Sequence, residues 1–253
     1  MNKIIKGVFI MKKTLLPNFL LLLAIVSPTF ANAQNTSAAD YYDNRFGTIR
    51  SNGEIVGMSS PASFRAKADL FDAKTQYSMA VEFELGKTVK RNLKEALFWY
   101  SKSAELGNPL AQMALARMYD FGIGVEKNQI TASNYYEAAA KNGLNEAQYN
   151  LGVMYATGEG REQDFEKAAT WYEIASQHGF AKAQYNLALL YLYGKGVPTD
   201  LSMAYKWLSI AKHDPNSKEQ AERSLQLIEP HLNPEQIANA AKLIDQWQLK
   251  TSN

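Results

Sequence analysis

Residues 183–211 read AQYNLALLYLYGKGVPTDLSMAYKWLSIA, and residues 147–175 read AQYNLGVMYATGEGREQDFEKAATWYEIA. The two stretches align without a gap at a spacing of 36. Working outward, the same step links Ala111-Gln112 to Ala147-Gln148 and Ala183-Gln184, with Thr75-Gln76 one step earlier. It links Gly86, Gly122, Gly158 and Gly194, then Asn92, Asn128, Asp164 and Asp200. It links Ala96, Ala132, Ala168 and Ala204, then Trp99, Tyr135, Trp171 and Trp207, then Gly107, Gly143 and Gly179. Self-similarity at one fixed period in this range is the signature of a repeat array.

Each register has a physical reading. In residues 147–182, Ala147, Leu151, Met154 and Tyr155 fall at i, i+4, i+7 and i+8, an apolar stripe on a first helix. Gly158 and Gly160 end it, because a helix C-cap needs a positive φ. Asp164 N-caps a second helix, Ala168, Trp171, Tyr172 and Ala175 form its buried stripe, and Gly179 stops it. Small residues such as Ala168 and Gly152 permit close helix approach. One such pair cannot bury both faces alone; stacked pairs can. The expected fold is therefore all-α, a right-handed α/α solenoid of helix-turn-helix units with a 36-residue period. Four repeats span 75–218, namely 75–110, 111–146, 147–182 and 183–218. Residues 219–253 form a degenerate fifth repeat that caps the array. Its first helix covers Glu219 to Ile228, Glu229-Pro230-His231 replaces the Gly-x-Gly loop, and Asn233-Pro234-Glu235 opens the second helix with Asn at the N-cap and Pro at N1.

Upstream, Met11-Lys12-Lys13, an apolar run from Leu15 to Val26 broken by Pro17 and Asn18, and Ala31-Asn32-Ala33 have the layout of a cleaved secretory signal. The run is too short to span a bilayer. Residues 1–33 are thus expected to be removed after Ala33, leaving Gln34 first; either Met1 or Met11 serves as the start. Export to the periplasm is expected, with secretion as the alternative. Residues 34–59, poor in periodic apolar positions, are expected to form a flexible leader, and residues 60–74 an N-terminal capping helix running into the first repeat.

The 253 residues hold 27 bases and 25 acids. Removing Lys3, Lys6, Lys12 and Lys13 with the leader leaves 23 bases against 25 acids, so the electrostatic footprint of a nucleic-acid binder is missing. There is no cysteine, which excludes disulfides, thiolate metal sites and cysteine nucleophiles. His178, His213 and His231 show no ligand spacing, so no metal site is expected. His178 and His213 close second helices, where a histidine suits the negative helix end. Ser209-Ile210-Ala211-Lys212 matches S-x-x-K, but the companion S-D-N and K-T-G motifs are absent. No cofactor and no catalytic residue is expected.

The pattern A-Q-x-x-L-[AG]-x-x-Y-x-x-G-x-G-V-x-x-[DN]-x-x-x-A-x-x-W-[YL]-x-x-A resembles the Sel-one-like repeat (SLR) family, relatives of tetratricopeptide repeats. Ala183 to Ala211 carries it nearly in full. The first repeat departs at Gly86-Lys87-Thr88, which lacks the second loop glycine, and the second has Tyr135 in place of Trp. The resemblance implies a non-catalytic scaffold or adaptor in the cell envelope or in host contact. Activity against β-lactams, associated with cysteine-rich relatives, does not carry over to a chain without cysteine.

In such arrays the first helices line the concave face. With the core stripe at positions 1, 5, 8, 9 and 12 of each repeat, positions 3, 7 and 10 point away from it. Repeats three and four then present Tyr149, Val153, Tyr185 and Leu189, flanked by Asn150 and Asn186, with Arg117 one repeat earlier. These seven residues are the expected partner-binding surface for a protein or peptide; alternatively they pack against the adjacent repeat. Competing functions are an immunity-type inhibitor of a toxin, a host-interaction factor, or an envelope enzyme acting on peptidoglycan or β-lactams.

Overall fold

The computed structural model describes residues 71–87 and 89–251. The expected signal and leader lie outside these residues. So does most of the expected helix over 60–74; where the two overlap, Phe71 and Asp72 are not helical. Asp72 instead caps a helix that starts at Ala73, its Oδ1 accepting from the Thr75 amide at 2.7 Å.

Ten α-helices and no strand occur among the described residues. They are α1 (Ala73–Leu85), α2 (Leu93–Glu105), α3 (Pro109–Phe121), α4 (Gln129–Lys141), α5 (Asn145–Thr157), α6 (Phe165–Gln177), α7 (Ala181–Tyr193), α8 (Leu201–Ala211), α9 (Lys218–Ile228) and α10 (Pro234–Thr251). A 3-10 turn, Glu229–His231, separates the last two. First helices α1, α3, α5 and α7 start at 73, 109, 145 and 181, two residues before the sequence-read boundaries. Each helix packs chiefly on its neighbours in the chain, α1 on α2, α2 on α3, and so on to α8, which meets both α9 and α10. This nearest-neighbour packing is what a stack of modules requires.

The repeated loop has a repeated hydrogen-bond plan. Asn92, Asn128, Asp164 and Asp200 each cap a second helix through the side chain. Each also donates its own amide to a carbonyl near the end of the preceding first helix, Phe83, Tyr119, Tyr155 and Tyr191 respectively, at 2.8–3.1 Å. Gly86, Gly122, Gly158 and Gly194 take the left-handed C-cap. Gly160 has a different job. At φ +74° it lies against the start of α4, where an added Cβ would overlap the Gln129 carbonyl. Its loop therefore docks backbone-to-backbone on the previous repeat.

The buried stripe of each first helix is rotated from the sequence reading. The buried positions, counting from Thr75, Ala111, Ala147 and Ala183, include 1, 2, 5, 6 and 8 in every repeat; position 9 is half-buried. The cause is the glutamine at position 2. Gln112, Gln148 and Gln184 donate Nε2 to the carbonyls of Ala104, Ala140 and Ser176, at 3.5, 3.3 and 3.1 Å, in the last turn of the preceding second helix. Gln76 does the same to Phe71 at 3.1 Å. A buried amide that finds a backbone acceptor is tolerated inside, and it turns its helix inward on that side.

The C-terminal cap opens its last helix with a reciprocal box. The Gln236 amide donates to Asn233 Oδ1 at 2.8 Å, and the Asn233 amide to Gln236 Oε1 at 2.9 Å, closing two otherwise orphaned donors. The outer surface of the cap is not uniformly polar, since Leu227 and Ile237 are exposed.

Candidate functional site: the outward face of the first helices

The seven residues expected to hold a partner fall into three settings. Tyr149, Val153 and Tyr185 are half-buried and pack against the core of repeats three and four. The Tyr149 ring lies 6.0 Å from Tyr172 and 5.2 Å from Phe180, centroid to centroid. Burial raises its hydroxyl pKa to about 12, against a hydrogen bond from Asn186 that lowers it. Asn186 also donates Nδ2 to the Tyr172 hydroxyl at 3.2 Å. Its amide thus joins two tyrosines of repeat three to helix α7 of repeat four. Tyr185 is half-buried too; burial raises its pKa, and a hydrogen bond with Ser224 of α9 opposes the rise. These side chains connect repeats to one another.

Leu189 and Asn150 are half-buried, and Leu189 stands outside that packing. Arg117 sits in a different setting. Its charge acts on Tyr77, Tyr100 and Tyr136, lowering pKa values that burial raises. Two tyrosines here reach carboxylates on their own first helix. The Tyr100 hydroxyl donates to Glu84 Oε2 at 2.5 Å, and the Tyr136 hydroxyl to Asp120 Oδ2 at 3.3 Å. Asp120 is pushed up by burial, opposed by the Tyr136 hydrogen bond. Repeats one and two thus carry a tyrosine–carboxylate–arginine surface where repeats three and four carry tyrosine and aliphatic packing. The divergence has a local cause. Gly152 stands where repeats one, two and four have alanine, and a Cβ there would meet the Tyr172 ring at 2.6 Å. Tyr172 therefore leans over Gly152 and turns its hydroxyl to Asn186 of the next repeat. Ala156 leaves it no carboxylate on its own repeat.

Two residues were missed by the sequence reading. Leu85 is 52% exposed and Phe121 is 58% exposed. Both close a first helix, and they are 36 residues apart, so they occupy one register in consecutive repeats. Each stands four residues beyond Val81 or Arg117 and shares its helix face. Thr157 and Tyr193 hold this register in repeats three and four. With the buried stripe rotated as described, this register points to solvent, and large apolar groups there lack intramolecular cover.

Among the described residues no cluster of histidine, aspartate and glutamate could hold a metal ion, and no helix is long and apolar enough to cross a membrane.

Known proteins resemble the chain in the same terms. A protective antigen of uropathogenic Escherichia coli with an SLR fold superposes with a TM-score of 0.62 at 29% identity, over 76% of this chain and 40% of its own. A Sel1 repeat protein from Oxalobacter formigenes superposes with a TM-score of 0.59 at 32% identity, over 66% of this chain and 48% of its own. The chain therefore spans less than half the length of either. No curated protein sequence matches it. The Sel1 repeat profile matches four times in succession, at 73–108, 109–144, 145–180 and 181–213. Those boundaries coincide with the first-helix starts seen in the structure, and over more than half of its residues the chain belongs to the Sel1 repeat family.

Proposed function

We propose that this protein is a non-catalytic scaffold that holds a segment of another protein along the outward face of its first helices, centred on repeats one and two. Sel1 repeats typically mediate protein–protein interaction. The observation that carries the finer reading is the pair Leu85 and Phe121, each more than half exposed in one register of neighbouring repeats. Exposed apolar groups that align across a polar surface mark contact sites, whereas singly scattered ones do not. Arg117, one turn before Phe121, and the carboxylates Glu84 and Asp120 add hydrogen-bonding groups beside them. The face seen by sequence, around Tyr149 and Tyr185, contributes Leu189 and Asn150 at its edge and otherwise stiffens the array.

Exchanging Leu85 and Phe121 together for serine is expected to abolish photocrosslinking of a partner from benzoylphenylalanine placed at position 81. The melting temperature should move little, because surface substitutions usually change stability by less than about 0.5 kcal/mol. Retained crosslinking in the double variant would remove this face from consideration.

The leader supports export, by its basic start, apolar run and Ala31-Asn32-Ala33. Mature protein recovered from the periplasm should begin at Gln34; an intact N-terminus would refute the assignment. A second reading, that the partner is a host molecule, is favoured by the likeness to the protective antigen. It predicts the same face and a different partner.

A further inference from the structure

Where the fourth repeat meets the cap there is a cleft of about 380 Å³. Gln184 of α7, Ser209 and Ile210 of α8, Asp214 of the following turn, and Ile244 and Trp247 of α10 form its walls. It exists because the fifth repeat is abbreviated. With no Gly-x-Gly loop and an 11-residue α9, α10 packs directly on α8, the Trp247 ring standing edge-on to Trp207 at 6.4 Å.

Ser209 behaves unlike its equivalent. Ser101, three repeats earlier in the same register, donates its hydroxyl back to the Leu97 carbonyl at 2.8 Å, as helix serines do. Ser209 is only 9% exposed and its Oγ has no partner in the protein. A buried hydroxyl without a partner is costly, and this one stands on the wall of a cleft. The other chemistry agrees. Ile210, Ile244 and Trp247 offer apolar walls. Asp214 is an acceptor already fixed in place, its Oδ1 taking the amides of Asn216 at 3.0 Å and Ser217 at 3.1 Å. Among the described residues that line the cleft there is no lysine or arginine, and its one basic side chain, His213, is followed directly by the carboxylate of Asp214, so the wall carries no net positive charge to hold a phosphate or a carboxylate. A volume of this size is within the range of ligand pockets.

We infer that this cleft is a second binding site, separate from the first-helix face, and that it takes a bulky apolar side chain of an extended peptide. The side chain enters between Ile210, Ile244 and Trp247. Its backbone carbonyl accepts from the Ser209 hydroxyl, and its backbone N–H faces the acceptor side at Asp214. A neutral amide with an apolar side chain supplies what the walls lack and brings no charge they would oppose.

The test uses the full mature chain with ¹⁵N-labelled tryptophan and N-acetyl-phenylalaninamide as probe. Four indole signals are expected, with that of Trp247 identified by its absence in Trp247→Phe. Titration should shift the Trp247 signal saturably and leave that of Trp171 still. Ser209→Ala should weaken the probe about 3- to 10-fold, the worth of one ordinary hydrogen bond. Ile244→Trp should fill the cleft and abolish binding while the helical circular dichroism is kept. Exchange of Leu85 and Phe121 for serine should leave the titration unchanged, which separates this site from the first-helix face. Three outcomes would each overturn the inference. These are no saturable shift, an unchanged affinity in Ser209→Ala, or benzyl alcohol binding as tightly as the amide, since the last needs only a greasy hollow.

Discussion

Gly160→Ala is expected to destabilise the array by about 3–5 kcal/mol, in the range reserved for single substitutions with an identifiable steric cause. Two effects add. Gly160 holds φ at +74°, a region that costs an L-residue with a Cβ about 1–2 kcal/mol. The new methyl group also collides with the Gln129 backbone carbonyl, and a carbonyl inside a helix cannot swing aside. Loop and helix must then separate, at the junction between repeats two and three. Gly143→Ala is the control. Its φ is +85°, yet nothing lies within 4 Å of an added Cβ, so it reports the backbone term alone. Urea midpoints of the two variants should differ by most of the Gly160 effect, and Gly160→Ala should split unfolding into two phases as coupling across the junction fails. Equal midpoints would show that the loop makes no such contact.

Trp207→Ala should cost a similar amount, about 3–5 kcal/mol, as for other buried aromatic truncations. Trp207 is fully buried at the join of the fourth repeat and the cap. Its register-mate Trp99 is equally buried, whereas Trp171 is half-buried, so the alanine series should rank Trp207 and Trp99 well above Trp171. Trp207→Phe should be far milder than the loss of ring volume suggests. The indole Nε1 of Trp207 is buried with no acceptor, and removing an unsatisfied donor returns about 1–3 kcal/mol. Thermal unfolding of the three alanine variants and the phenylalanine variant decides both points; a phenylalanine variant as unstable as the alanine one would mean the indole N–H is satisfied after all.

Much of this fold was legible because its signals are local. The cap asparagines and aspartates and the C-cap glycines act within a few residues of themselves, so their spacing alone places the loops and both helices of every repeat. The glutamine after each repeat-opening residue carried no readable meaning. Its role is a hydrogen bond to a different helix, eight residues back at its backbone acceptor in three of the repeats, and composition does not reveal that. Missing it turned the expected outward stripe away from the register of Leu85 and Phe121 and left open whether Tyr149 and Tyr185 face a partner or pack between repeats. Repeat three concealed a further trap: at Gly152 the absence of a side chain re-aims Tyr172, and with it Asn186, across a repeat boundary. The cleft beside Ser209 was beyond sequence because its walls come from α7, α8, the turn after α8 and α10, which meet where a module has been shortened.

The pattern of chain-neighbour packing has a mechanical corollary. Because each rod leans chiefly on the one before and the one after, a small rotation at any joint is almost independent of the rest. Such a molecule behaves as a soft spring, whose bend is the running total of many slight hinge angles. A guest lying across several rods ties those joints together, so the array should stiffen on loading with little change in any single module.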